Sequence, residues 1–135
     1  MSAFFSGVTK EQLAAVDLFA GLDDEGLEKV KACSYFLGAH PGLHVIRSED
    51  VGFELYIILA GTADVVQEGK TIATLNKGDV FGEMAILGNV HRNADVVATS
   101  VMSMISMKAN DFRRLVDDYP EVERRLRNLA EERMS

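Results

Sequence analysis

From Gly78 to Ala94 the chain reads Gly-Asp-Val-Phe-Gly-Glu-Met-Ala-Ile-Leu-Gly-Asn-Val-His-Arg-Asn-Ala. Two residues here could do chemistry together: Glu83, and Arg92 nine positions later. Gly82 follows a predicted strand, and Glu83 to Leu87 reads as a single helical turn. A strand, a glycine and one turn of helix leave the amides of Gly82, Glu83, Met84 and Ala85 without chain partners. Such amides form an anion site, reinforced by the local dipole. Arg92 is far enough along to return across the loop with a planar, bidentate partner for a phosphate. Glu83 would repel that phosphate, so it must face another part of the ligand. A hydroxyl of a sugar suits it, because a carboxylate accepts strongly from O–H. Taken alone, the stretch fits a tight glycine turn with a surface Arg–Glu pair equally well.

The rest of the composition narrows the chemistry. A net charge of −7 argues against a nucleic-acid partner, since phosphate backbones need clustered Lys and Arg. The run Arg124, Arg125 and Arg127 is interleaved with Glu121, Glu123, Glu131 and Glu132, as on a solvated helix face. His40, His44 and His91 are scattered and show no His-x-His pair with a carboxylate, so a cupin-like metal enzyme is disfavoured. No Ser-His-Asp or Cys-His arrangement is recognisable, and no enzymatic activity is expected. Cys33 is the only cysteine, which rules out an internal disulfide and suits a reducing compartment. It reads as a small buried residue at a helix end. Met1 to Val8 lacks the pattern of a signal peptide, and no apolar run is long enough to span a bilayer. A cytoplasmic location is expected.

The elements that must position Glu83 and Arg92 fall into three zones of one domain, residues 1–135, a length suited to a single core. Residues 9–34 read as helical, with Thr9 and Asp23 as caps and Leu27, Val30 and Cys33 as an inner face. Residues 35–107 hold short β-rich runs between turns: His40-Pro41-Gly42, Ala60-Gly61, Glu68-Gly69-Lys70 and Asn76-Lys77-Gly78-Asp79. Val96 to Met107 alternates loosely, with Val97, Val101, Ser103, Ile105 and Met107 on one side. Residues 109–133 read as two helices. Asn110 caps the first, whose inner face is Phe112, Leu115, Val116 and Tyr119. Pro120 ends it and opens the second, lined by Val122, Leu126 and Leu129. The fold class is therefore mainly β with flanking helices: an antiparallel β-roll of jelly-roll type.

Several motifs in this order resemble the cyclic nucleotide-binding domain family, seen in catabolite activators, kinase regulatory subunits and cyclic-nucleotide-gated channels. They are Pro41-Gly42, Glu54-Leu55-Tyr56-Ile57-Ile58-Leu59 with Gly61, Gly78-Asp79, Phe81 to Leu87 with Arg92, and Phe112 to Leu115 with Tyr119-Pro120-Glu121. The resemblance covers residues 12–130. It implies a cyclic mononucleotide as ligand, cAMP or cGMP, with no other cofactor. It implies that Arg92 holds the exocyclic phosphate oxygens and Glu83 the ribose 2′-hydroxyl. The amides near Ala85 and Asn93 would meet the phosphate, with Gly82, Met84 and Ala94 completing the segment and Val65 packing near sugar or base. It also implies a final helix that swings over the nucleotide, and an effector protein or parent-protein domain as partner.

Some residues depart from the family pattern. Asn93 stands where cAMP binders carry Ala and cGMP binders Ser or Thr, which leaves base selectivity open. His91 replaces a common Pro, Asp95 a frequent Thr near the anion site, and Glu49 a usual turn glycine. The alternative function is a degenerate roll that binds no ligand and serves as a protein-interaction module. A DNA-reading helix-turn-helix after the roll is not expected in the residues beyond Pro120.

Overall fold

The computed structural model describes residues 8–83 and 94–134. Helix α1 (Lys10–Ala14) begins with a reciprocal capping box: Thr9 Oγ1 accepts from the Gln12 amide, and the Gln12 side chain accepts from the Thr9 amide. A 3-10 turn, Asp17–Phe19, buries Leu18 and Phe19. Helix α2 (Asp24–Ala32) is capped by Asp23, which accepts from the Gly26 amide at 2.8 Å. Both caps fall where the sequence predicts them.

The strands are β1 (Ser34–Ala39), β2 (His44–Ile46), β3 (Glu54–Ala60), β4 (Ala63–Gln67), β5 (Lys70–Leu75), β6 (Val80–Phe81), β7 (Asp95–Ala98) and β8 (Met102–Lys108). They form two antiparallel sheets, ordered β1-β8-β3-β6 and β2-β7-β4-β5. Helices α3 (Ala109–Asp118) and α4 (Pro120–Met134) follow, with Pro120 opening α4 as expected. This is the antiparallel β-roll with flanking helices that the short, evenly spaced runs predict.

The sheet containing β3 and β8 separates two cores. Leu55, Ile57, Ile105 and Met107 turn toward the helices, where Leu13, Leu18, Phe19, Phe112, Leu115, Val122 and Leu126 meet them. Ile58, Met102 and Met104 turn into the roll, against Phe81, Ala63, Leu75, Val96 and Ala98. Strands buried on both faces read as continuous apolar runs, which is why Leu55 to Leu59 shows no polar alternation.

Three local expectations need correction. Val96 to Met107 is not one strand: β7 lies in one sheet and β8 in the other, and Val101 at the turn between them is 74% exposed. The chain crosses there because Thr99 N donates to Thr62 O at 2.9 Å and Thr62 N donates to Ser100 Oγ at 3.0 Å. Asn110 does not cap α3. The cap position is Lys108, and Asn110 sits in the first turn, accepting from Arg113 at 3.1 Å. The helix starts early because the Ala109 amide donates to Phe53 O at 2.7 Å, a partner distant in sequence. Cys33, at the end of α2, is half-buried rather than buried, with its thiol donating to Lys29 O at 3.3 Å. Desolvation raises its pKa, which keeps it a thiol.

The crossings β1 to β2, β3 to β4 and β7 to β8 meet at one corner. Gly42 N donates to Ala98 O at 2.7 Å there, and Gly61 lies against Val101 and Met102. Gly61 has φ +94°, and a Cβ on it would stand 2.4 Å from Val101 O and 2.9 Å from Met102 Cα. Backbone cannot yield as a flexible side chain does. Gly61→Ala should therefore destabilise the fold by about 2–4 kcal/mol, read as a lower urea midpoint. An unchanged midpoint would show that the corner can open without loss.

Candidate ligand-binding site

The site is built at the end of the roll opposite that corner. Val80 and Phe81 of β6 pair with Ile57 and Tyr56 of β3, and the Phe81 and Tyr56 rings stack with centroids 5.0 Å apart. This fixed platform sets the direction in which the chain leaves β6. Gly82, with φ +78°, turns it off the strand in a conformation that a side chain would resist. Glu83 follows at once and is only 6% exposed. A carboxylate withdrawn from water needs donors around it, so burial here favours partners that offer N–H or O–H groups.

The other wall comes from the second sheet. Val65 of β4 lies opposite Val96 of β7 and Ala73 of β5, half-buried against the roll interior. Ala94 precedes β7, beside the point where Val66 faces Asp95. The β4–β7 pair thus places Val65 opposite Val96, two residues after Ala94, while Gly82 and Glu83 follow β6 of the first sheet. Met84, Ala85, Arg92 and Asn93, also expected in the site, lie outside the described residues, as does His91.

Asp95, the acidic residue expected near the anion site, is itself held by donors. Val96 and Ala98 point into the roll, so Asp95 and Val97 take the opposite face. There the carboxylate is gripped from two sides. Its Oδ1 accepts from the Ser48 amide at 2.7 Å, and its Oδ2 accepts from His44 Nδ1 at 2.7 Å. These donors, the Ser48 amide foremost, lower its pKa below the ordinary carboxylate value. Sequence reasoning missed this cluster, since its members lie 47 and 51 residues apart. The one available signal was an acidic residue at the mouth of an apolar strand. Nearby, Glu49 has φ +79°, so the position where glycine is usual does take a left-handed conformation.

The helical layer is pinned by its own contacts. Tyr119, closing α3, donates to Asp23 at 3.1 Å, and Lys29 pairs with Asp118 at 2.9 Å. Arg125 of α4 donates to the Ala20 carbonyl. Among the described residues, no group of three or more His, Cys, Asp or Glu side chains gathers to hold a metal ion. No described helix is long and apolar enough to cross a membrane.

Residues 39–119, from the last residue of β1 to the end of α3, match the family model described as the cyclic nucleotide-binding domain. The chain belongs to that family. It is similar to the cAMP-dependent protein kinase regulatory subunit of Schizosaccharomyces pombe, 32% identical over 123 residues, 90% of this chain and 29% of that protein. The chain thus spans less than a third of that relative. The regulatory domain of Toxoplasma gondii PKA, solved with cAMP, shares the fold: TM-score 0.79 and 24% identity over 91% of this chain and 48% of that one. The regulatory subunit of a cAMP-independent protein kinase A from Trypanosoma brucei superposes with TM-score 0.77 and 28% identity, covering 86% of this chain and 44% of that one. Regulatory subunits of both a cAMP-dependent and a cAMP-independent kinase are therefore among the proteins it is similar to.

The Asp95 cluster makes stability depend on pH in a definite direction. A folded-state pKa below the unfolded value adds stability above the unfolded value, about 3.9. That stability is lost as pH falls through the folded value. The gap in urea midpoint between the wild-type domain and Asp95→Asn should be widest near neutral pH and shrink below about pH 4. A gap that stayed constant into acid would remove Asp95 as the source.

Proposed function

We propose that this domain is a cyclic mononucleotide sensor that takes cAMP, catalyses nothing itself, and works in the cytoplasm on an effector protein or parent-protein domain. The observation that carries the reading is Glu83: a carboxylate buried at the end of β6, directly after a left-handed glycine, in a cyclic nucleotide-binding domain. In this reading Glu83 accepts from the ribose 2′-hydroxyl and Arg92 grips the exocyclic phosphate oxygens. The amides of Ala85 and Asn93 complete the phosphate contacts, with Gly82, Met84 and Ala94 shaping the segment. Val65 packs against the sugar or base. Similarity to a cAMP-dependent kinase subunit favours adenine, and cGMP is the competing ligand that Asn93 leaves open.

A protein of charge −7 repels anions at long range, so a cyclic phosphate must be held by strong local contacts. Calorimetric titration should show cAMP binding, and Arg92→Ala should weaken it at least about tenfold, or ~1.4 kcal/mol. Wild-type affinity in that variant would sink the assignment. The second reading, a roll that binds no nucleotide and serves as an interaction module, draws on the relative named as cAMP-independent. The absence of any heat with cAMP, cGMP or cyclic dinucleotides would favour it.

The output of the sensor is α4. Val122 and Leu126 are fully buried, and Arg125 binds Ala20, so α4 rests on the 3-10 turn in this structure. In our reading, ligand shifts α4 about Pro120 toward the roll, because a ligand moves an equilibrium only through contacts that differ between states. Amide exchange should then slow in residues 120–133 on adding cAMP, as well as in residues 82–94. Slowing confined to residues 82–94 would mean that the signal leaves by another element.

A further inference from the structure

One connection, the loop from β2 to β3, lies at the end of the roll where the chain enters β7. Ile46, closing β2, lies opposite Val96, while Glu54, opening β3, lies opposite Lys108 at the end of β8. The intervening loop, residues 47–53, is fastened at both ends. Phe53 O accepts from Ala109 N at 2.7 Å, and Ser48 N donates to Asp95 Oδ1 at 2.7 Å. Between them Asp50 N donates to Arg47 O at 3.2 Å, closing a turn through the left-handed Glu49. The loop is thus a tied anchor. Asp95 is its attachment to β7, one residue after Ala94.

Strand β7 does not need Asp95 to stay in its sheet, because it is paired with β2 on one side and β4 on the other. What the carboxylate adds is a fixed position for the start of β7 relative to the 47–53 loop. That is where the chain emerges from the segment carrying Arg92 and Asn93. We propose that Asp95 is a positioning residue for the nucleotide site: by gripping Ser48 and His44 it fixes the exit of the phosphate-contacting segment and so raises ligand affinity. This rests on the cyclic nucleotide reading above. What fixes the exit is the geometry of the two hydrogen bonds, while the charge adds the pH-dependent stability described above. Asparagine can reproduce it, accepting from Ser48 N and donating to His44 Nδ1 in its other tautomer.

The test compares Asp95→Ala and Asp95→Asn with the wild type in the full 135-residue chain. Each is titrated with cAMP, and ligand-free amide exchange is read at residues 46–52 and 94–97. The alanine variant should bind about tenfold more weakly or worse, and asparagine should restore affinity to within about threefold. Exchange at both stretches should quicken in the alanine variant and return in the asparagine variant. Should Asp95→Ala fail to fold, His44→Ala removes one arm of the grip and should weaken binding about threefold. Wild-type affinity in a folded Asp95→Ala would overturn the proposal. So would equal losses in the two Asp95 variants, which would point to charge instead of geometry. If the wild type bound no cyclic nucleotide, the sensor reading and the positioning role would fall together. The exchange measurement would then still decide whether Asp95 holds the loop.

Discussion

The structure depends on the pairing of β3 with β8, because this pair is buried on both faces. Ile57 lies opposite Ile105 on the helix side, and Ile58 lies opposite Met104 on the roll side. Each fully buried aliphatic side chain contributes roughly 1.5–3 kcal/mol relative to exposure. A side chain lost from either face leaves a cavity in one core and loosens the wall of the other. Among the described residues, the helical layer and the interior of the roll form two separate cores with this wall between them. Phe81 at the edge of β3 inherits its position from it, and Glu83 inherits its position from Phe81.

The two ends of the roll divide the work. At one end Gly42, Gly61, Thr62 and Thr99 lock three crossings by backbone bonds and close packing, which makes a tight corner. At the other, the strands open into the 47–53 loop, the Glu68-Gly69 turn and the segment after Gly82. Loops on a rigid scaffold are where binding residues concentrate, since a loop can change its backbone without disturbing the core. The contrast holds Val65 and Val96 in packed strands close to the loops at that end of the roll.

Much of this was legible in the sequence wherever the cause is local. Thr9 and Asp23 cap the helices they precede, Pro120 opens α4, and Phe112 and Leu115 face inward, all decided by neighbours within one or two turns. Errors arose where a distant partner decides. Asn110 is a good cap by type, yet the Ala109 amide finds Phe53 and the helix starts ahead of it. The Val96–Met107 stretch lost its alternation because β8 is apolar on both faces, and only the pairing partners reveal the sheet change. Around the candidate site, the glycine turn at Gly82 was legible from residue type, whereas the grip of Ser48 and His44 on Asp95 was not. No local pattern announces a bond across 47 residues.

The helical layer constrains how any signal could leave. Detaching α4 alone would expose Val122 and Leu126 at a cost of roughly 3–6 kcal/mol, besides losing the Arg125 bond to Ala20. Shifting a two-state equilibrium from 1:99 to 99:1 takes about 5.5 kcal/mol of differential affinity. Peeling α4 away would therefore add a cost about as large as that whole shift. A movement that keeps α4 on the 3-10 turn, and slides both across Leu55, Ile57 and Ile105 as one body, preserves those contacts. Tyr119 and Lys29 bind α2 to the end of α3, so such a slide must also strain or carry α2. Packing thus favours a shift about Pro120 in which α4 carries the 3-10 turn with it over a free swing of the helix alone.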